Sequence, residues 1–143
     1  MEYQLRERVV LIAGPLTTTT QSLMMGLTEQ GADVALLDEN ANKAEKFCNQ
    51  LMDQREVKAK HGRAIAIQTD LTNPKQIKEH VGQVAQSLGG IDIFIDAQVC
   101  NEPTAIEVDQ QLDEASVEKL EALLSRNLKS TLMLTQTVVG YLK

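Results

Sequence analysis

Apolar residues follow two different spacings along the chain, and the switch between them predicts alternating strands and helices. The continuous apolar run Val9 to Ala13 is typical of a strand buried on both faces of a parallel sheet. From Thr20 the apolar spacing is helical, and Gly31 lies where helices commonly end. Val34 to Leu37 form a second apolar run, which Asp38 ends. These elements predict a strand, a helix and a second strand.

The same alternation continues through the rest of the chain. It predicts a helix, a strand, a helix, a strand and a last long helix over residues 41–57, 63–70, 74–88, 91–97 and from about 113 to 142. Strands that alternate with helices favour a parallel sheet covered on both faces, and right-handed crossovers predict the strand order 3-2-1-4. We therefore predict one α/β domain over residues 1–143, a Rossmann-like three-layer sandwich with a truncated four-stranded sheet.

The last predicted helix is apolar over a broad part of its surface. One face is predicted to carry Val117, Leu120, Leu124, Asn127 or Leu128, Thr131, Leu134 or Thr135, Val138 and Leu142. Four more apolar residues lie off that face, namely Leu123, Leu132, Met133 and Val139. A helix with so wide an apolar surface is expected to be buried on more than one side.

Charge and cysteine content exclude several classes of function. A net charge of −6 disfavours binding to nucleic acid or to anionic membranes. No apolar run approaches the roughly 20 residues that a membrane-spanning helix needs. Cys48 and Cys100 lack the spacing of metal ligands, and His61 and His80 stand alone in polar surroundings. We expect a cytoplasmic protein with reduced cysteines and no metal site.

Longer stretches of the sequence resemble a known family. Residues 31–38 (GADVALLD), 62–72 (GRAIAIQTDLT), 89–95 (GGIDIFI) and 127–136 (NLKSTLMLTQ) together make the chain similar to the first two-thirds of a short-chain dehydrogenase/reductase. The resemblance implies a sheet that holds NAD or NADP over the carboxyl ends of strands one and four.

The cofactor turn departs from the pattern of that family. The family's T-G-x-x-x-G-x-G falls here on Ala13, Gly14, Thr18 and Thr20. The missing glycines normally let the backbone approach the pyrophosphate, and Pro15 removes one N–H donor. Hydroxyls of the threonines at 17–20 could either bind an anion or cap the following helix, and capping is the favoured interpretation.

Two acidic residues match the adenosine side of the family's site. The resemblance implies that Asp38 is the carboxylate that selects NAD over NADP, and that Asp70 lies beside the adenine. Either residue could instead cap the turn that follows its strand. On the nicotinamide side the family's N-N-A-G is replaced by Asp96, Ala97, Gln98 and Val99. We therefore expect no tight cofactor, and at most weak NAD binding at Gly14, Thr18, Thr20, Asp38 and Asp70.

The catalytic residues of the family are mostly missing from this sequence. Asn127 aligns with the family's catalytic asparagine, but a structural role that ties the long helix to the fourth strand is favoured. The family's serine and Tyr-x-x-x-Lys pair follow a fifth strand, and the chain is expected to stop before one begins. Tyr141 would need a lysine at position 145. Without this acid–base pair, we expect no self-sufficient dehydrogenase.

These patterns support three functional hypotheses. The first is a non-catalytic structural or interaction subunit, dimeric through Val117 to Leu142 and the edge of the fourth strand, or paired with a different chain. Bare strand edges and apolar patches favour such contacts. The second is a weak sensor of NAD or adenine nucleotides. The third is half of an NAD-dependent oxidoreductase, completed by a partner chain.

Overall fold

The protein is a parallel sheet with helices packed on it, as a computed structural model describes for residues 5–57, 60–98 and 117–143. The elements in chain order are β1 (Val9–Ala13), α1 (Thr18–Glu29), β2 (Asp33–Asp38), α2 (Ala41–Val57), β3 (Ala64–Gln68), α3 (Pro74–Leu88), β4 (Ile93–Asp96), α4 (Val117–Leu124), a π-helical turn (Ser125–Lys129) and α5 (Ser130–Val139). The predicted start of the last helix near 113, Val99 and Cys100 lie outside the described residues.

The sheet has the predicted order, β3-β2-β1-β4, and every strand pair is parallel. Val10 of β1 is paired with Val34 on one side and with Ile93 on the other. Because β1 has neighbours on both sides and helices on both faces, all five of its residues are buried. The predicted α/β fold is confirmed.

Two hydrophobic cores lie on opposite faces of the sheet, because successive strand residues point to opposite sides. Leu11 joins a core with residues of α3 and α5. Val10 and Ile12 join the other core, with residues of α1 and α2. The three-layer arrangement follows directly from this alternation.

The last helical segment differs from its prediction. Ser130, Leu134 and Val138 face the core, whereas Val117 and Leu128 are 66% and 67% exposed. The continuous apolar face predicted from Val117 onward is therefore wrong within this chain, and burial of the segment on a further side by a partner stays a prediction. The π-helical turn contains one residue more than an α-helical turn, so it rotates the faces of α5 by about 100° relative to those of α4. None of the described helices is long and apolar enough to cross a membrane.

One isolated bridge lies beside the segment that enters β4. Leu142 forms a parallel bridge with Ile91, and the backbone N–H of Lys143 donates to the carbonyl of Ile91 at 3.1 Å. In the described residues the sheet has the four predicted strands, and this bridge lies outside them. All four residues of β4 are only half-buried.

Candidate functional site

The carboxyl ends of the strands bring most of the predicted site residues to one edge of the sheet. Gly14 directly follows β1, Asp38 and Asp96 end β2 and β4, and Asp70 lies two residues beyond β3. Open parallel sheets bind their ligands at this edge, where the strand order reverses between β1 and β4.

Gly14 is required by the packing of the backbone. Its φ is +141°, and a Cβ atom there would lie 2.7 Å from the carbonyl carbon of Ala97 and 2.9 Å from the backbone nitrogen of Gln98. No side chain fits between the ends of β1 and β4. The one glycine kept from the family's turn therefore has a structural reason to be there.

The threonines of the turn cap α1, as the favoured interpretation predicted. The hydroxyl oxygen of Thr17 accepts the backbone N–H of Thr20 at 3.2 Å. The hydroxyl of Thr20 is buried and donates to the carbonyl of Pro15 at 3.0 Å. Thr18 is exposed. The hydroxyls of Thr17 and Thr20 are thus used within the turn.

Asp38 is a buried carboxylate that anchors this turn. Its Oδ2 accepts the N–H of Leu16 at 3.0 Å, and its Oδ1 accepts the N–H of Asn40 at 2.9 Å. A carboxylate offers about four acceptor positions, so two remain after these bonds. Asp38 therefore both fixes the turn and keeps acceptor capacity at the end of β2.

Asp70 is exposed and caps its own turn. Its Oδ1 accepts the hydroxyl of Thr72 at 2.6 Å and the backbone N–H of Thr72 at 2.9 Å. These two bonds, the hydroxyl first, hold the pKa of the Asp70 carboxyl below its usual range, and the charge of Arg126 adds to the effect. The capping role that the sequence left open is thus present, and the carboxylate is ionised at neutral pH.

A polar network ties α5 to the end of β4. The hydroxyl of Thr131 lies 2.5 Å from Oδ2 of Asp96, and Oδ1 of Asp96 accepts the backbone N–H of Gln98 at 3.0 Å. The side-chain carbonyl of Gln98 accepts the hydroxyl of Ser130 at 2.8 Å. The family resemblance implies that these residues lie on the nicotinamide side of the site.

The structural role predicted for Asn127 belongs to its neighbours. Asn127 contributes its backbone carbonyl, which lies 2.7 Å from the hydroxyl of Thr131 within the helix. The contacts with β4 come from Ser130 and Thr131, one turn later. The two adjacent hydroxyl residues at the start of α5 were the sequence signal for this, and the prediction did not use it.

One ion pair crosses the same edge of the sheet and has no sequence signal. Nη2 of Arg126, in the π-helical turn, lies 2.6 Å from Oε2 of Glu39. Glu39 directly follows Asp38, so the pair joins the last helical segment to the end of β2.

The two ends of this edge differ in the hydrogen-bonding groups that they offer. At the end of β2, Asp38 retains acceptors that suit ribose hydroxyls. In the turn, the N–H of Leu16 is already bonded to Asp38, and Pro15 has none. The end of β4 presents the carboxylate of Asp96 where the family has an asparagine. Asp38 thus offers acceptors at the end of β2, whereas the polar groups at the end of β4 are bonded to one another and to α5.

Other reactive side chains give no second site. Burial raises the pKa of the Cys48 thiol to about 12, with a smaller contribution from the charge of Glu45, so this cysteine stays protonated. Across the described ranges, no group of three or more His, Cys, Asp and Glu side chains could hold a metal ion.

Comparison with known proteins identifies relatives along nearly the whole chain. A family model described as short chain dehydrogenase matches residues 8–143. An uncharacterized oxidoreductase of Staphylococcus aureus (strain USA300) is 25% identical over 135 residues, which cover 94% of this chain and 52% of that protein. A cyclohexanol dehydrogenase of Rhodococcus sp. (strain TK6) is 26% identical, covering 97% of this chain and 53% of the relative.

Solved structures show the same fold. A short chain dehydrogenase from Mycobacterium smegmatis matches with a TM-score of 0.81 at 20% identity, covering 96% of this chain and 53% of that one. A short chain dehydrogenase from Burkholderia cenocepacia J2315, solved in complex with NADP, matches with a TM-score of 0.73 at 23% identity over 98% and 53% of the two chains. The chain thus spans about half the length of the relatives that it matches.

Proposed function

The chain belongs to the short-chain dehydrogenase family, and from that premise we propose that it acts as a non-catalytic interaction subunit that forms a dimer through its last helical segment. The proposal is supported most directly by exposed apolar side chains on α4, the π-helical turn and α5, which together we call the apolar ridge: Val117, Leu120, Leu124, Leu128, Leu132 and Val139. Exposed apolar patches of this kind are typical of interaction surfaces.

The edge of the sheet beside the ridge supports the same proposal. β4 is an edge strand, and the described pairing on its outer side is the single bridge between Ile91 and Leu142. An edge strand with open backbone groups favours pairing with another chain. A second copy related by a two-fold axis would place ridge against ridge and cover both edges.

The residues at the carboxyl ends of the strands support the proposed absence of catalysis. The threonine turn is bonded to itself and to Asp38, and the end of β4 carries the carboxylate of Asp96. Partner binding therefore accounts for more of the described features than hydride transfer does.

Replacing one residue of the ridge tests the dimer. We expect the wild-type protein to sediment as a dimer at micromolar concentration, and Leu128→Glu to sediment as a monomer, because a charge in the centre of an apolar contact is not solvated. Leu128 is 67% exposed, so the variant should keep its far-UV circular dichroism. The matched control is Met25→Glu, which changes an exposed apolar residue of α1 and should stay dimeric. A wild-type monomer at micromolar concentration would contradict the proposal.

A second candidate function, a weak sensor of adenine nucleotides, is favoured by the acceptor positions that Asp38 retains. We expect calorimetric titration to detect NADH with a dissociation constant between about 10 μM and 1 mM, a weak affinity on the usual scale. NADPH should bind at least about tenfold more weakly, because the Asp38 carboxylate would face its 2′-phosphate. Equal affinity for both nucleotides would show that Asp38 does not contact the ribose, and no binding of either would rule out the sensor.

A further inference from the structure

The ion pair between Arg126 and Glu39 spans the edge of the sheet where an adenosine would lie. It starts from the last helical segment, beside β4, and ends on the residue after β2, with Nη2 and Oε2 2.6 Å apart. In folds of this kind, the ribose and adenine lie over the carboxyl ends of the strands on this side of the switch point. The pair therefore crosses the adenosine half of the site.

The charge of Arg126 also acts on Asp70, two residues beyond the end of β3. It contributes to the lowered pKa of Asp70, although the bonds to Thr72 dominate. The guanidinium is thus close to acidic groups that follow both β2 and β3. Those two strand ends flank the place where an adenine would lie.

The backbone that carries Arg126 is fixed, although its side chain is not buried. The hydroxyl of Ser130, which is fully buried, lies against the carbonyl of Arg126 and against Oε1 of Gln98. The π-helical turn places Arg126 at this edge, and such turns are often found at functional sites. By contrast, the side chains of Arg126 and Glu39 are 43% and 39% exposed. Because the backbone of Arg126 is held in place while its side chain is accessible to solvent, the ion pair with Glu39 can open without unfolding of the helix.

We propose that Arg126 and Glu39 form a strap that closes the adenosine half of the site and that a nucleotide must open in order to bind. This inference rests on the second proposed function, the weak nucleotide site at Asp38. Exposed ion pairs contribute little stability, so opening the strap reduces affinity by a small factor, about two- to fivefold.

Two variants of opposite charge separate the strap from simple attraction of an anion. Arg126→Gln makes the protein more negative and Glu39→Gln makes it less negative, yet both break the same pair. If the strap limits binding, both variants bind NADH about two- to fivefold more tightly than wild type. The matched control is Arg8→Gln, which breaks the 2.9 Å ion pair of Arg8 with Asp92 on the segment leading into β4 and should leave the affinity unchanged. Adenosine, a probe without phosphate, should show the same gains.

Each other result is decisive. If Arg126→Gln weakens NADH binding while Glu39→Gln strengthens it, then charge alone sets the affinity and the strap is wrong. If all four proteins bind NADH equally, the strap is wrong but the nucleotide site remains. If none of them binds NADH or adenosine, the proposed nucleotide site is wrong, and the strap covers no binding site.

Discussion

Gly62→Ala is expected to lower the free energy of unfolding by more than about 4 kcal/mol or to prevent folding, a loss that is exceptional for one substitution. A Cβ atom at Gly62 would lie 1.7 Å from the carbonyl oxygen of Ala32 and 2.3 Å from its carbonyl carbon. Both contacts are with backbone, so no side chain can rotate away. The N–H of Gly62 also donates to the carbonyl of Thr28 at 2.9 Å, which holds the end of α1 against the chain entering β3.

Urea unfolding followed by circular dichroism measures this loss. The control is Gly26→Ala, because a Cβ atom at this helical glycine has no atom within 4 Å. Alanine is a better helix former than glycine, so the control should gain about 0.5–1 kcal/mol. A total stability of roughly 5–15 kcal/mol is typical of a domain, so Gly62→Ala would remove a large part of it. A loss below about 1 kcal/mol in Gly62→Ala would mean that this backbone contact can relax.

The elements that could be predicted from the sequence are those that local pattern determines. The helix that begins at Pro74 has Asn73 as its cap and Gly89, with φ +88°, as its end, and each of these is a local signal. The predicted strand Val9 to Ala13 is found with the same bounds, because a continuous apolar run has few alternatives in a parallel sheet. Strand order then came from general rules of chain crossing.

The features that could not be predicted depend on atoms far apart in the sequence. The acceptors of Asp38 are partly used by Leu16, 22 positions earlier, and Asp96 is bonded to Thr131, 35 positions later. The π-helical turn shifted the apolar face of the last helix. The residue types in that turn do not predict the extra residue. The hydrogen-bond partners of Asp38 and Asp96 therefore come from the fold, and the sequence alone does not supply them.

The hydrogen bonds of the turn after β1 show what replaces the glycines that the family has there. Thr20 lies at the position of the family's last glycine, and its hydroxyl bonds to Pro15 within the same turn. Asp38 accepts the backbone N–H of Leu16, which ties the turn to the end of β2. The edge is thus stabilised by bonds among its own residues, and Gly14 alone of the family's turn glycines is kept, where the backbone leaves no space.

Gly14→Ala is expected to lower the free energy of unfolding by about 2–5 kcal/mol, from a strained φ and from a close backbone contact together. The φ of +141° disfavours any residue with a Cβ, and the new atom would lie 2.7 Å from the carbonyl carbon of Ala97. Neither neighbour can move easily, because the N–H of Gly14 donates to Leu37 at 2.9 Å and that of Ala97 donates to Ala13 at 2.8 Å.

The control for Gly14→Ala is Gly89→Ala, which isolates the backbone strain. Gly89 has a φ of +88°, and a Cβ atom there has no atom within 4 Å, so this variant should lose only about 1–2 kcal/mol. The difference between the two losses, measured by urea unfolding without nucleotide, gives the combined cost of the contact between the ends of β1 and β4 and of the more strained φ at Gly14. If Gly14 were kept only for a cofactor, Gly14→Ala would be no less stable than Gly89→Ala. The larger loss is expected because the sheet itself, with no cofactor bound, requires a glycine there.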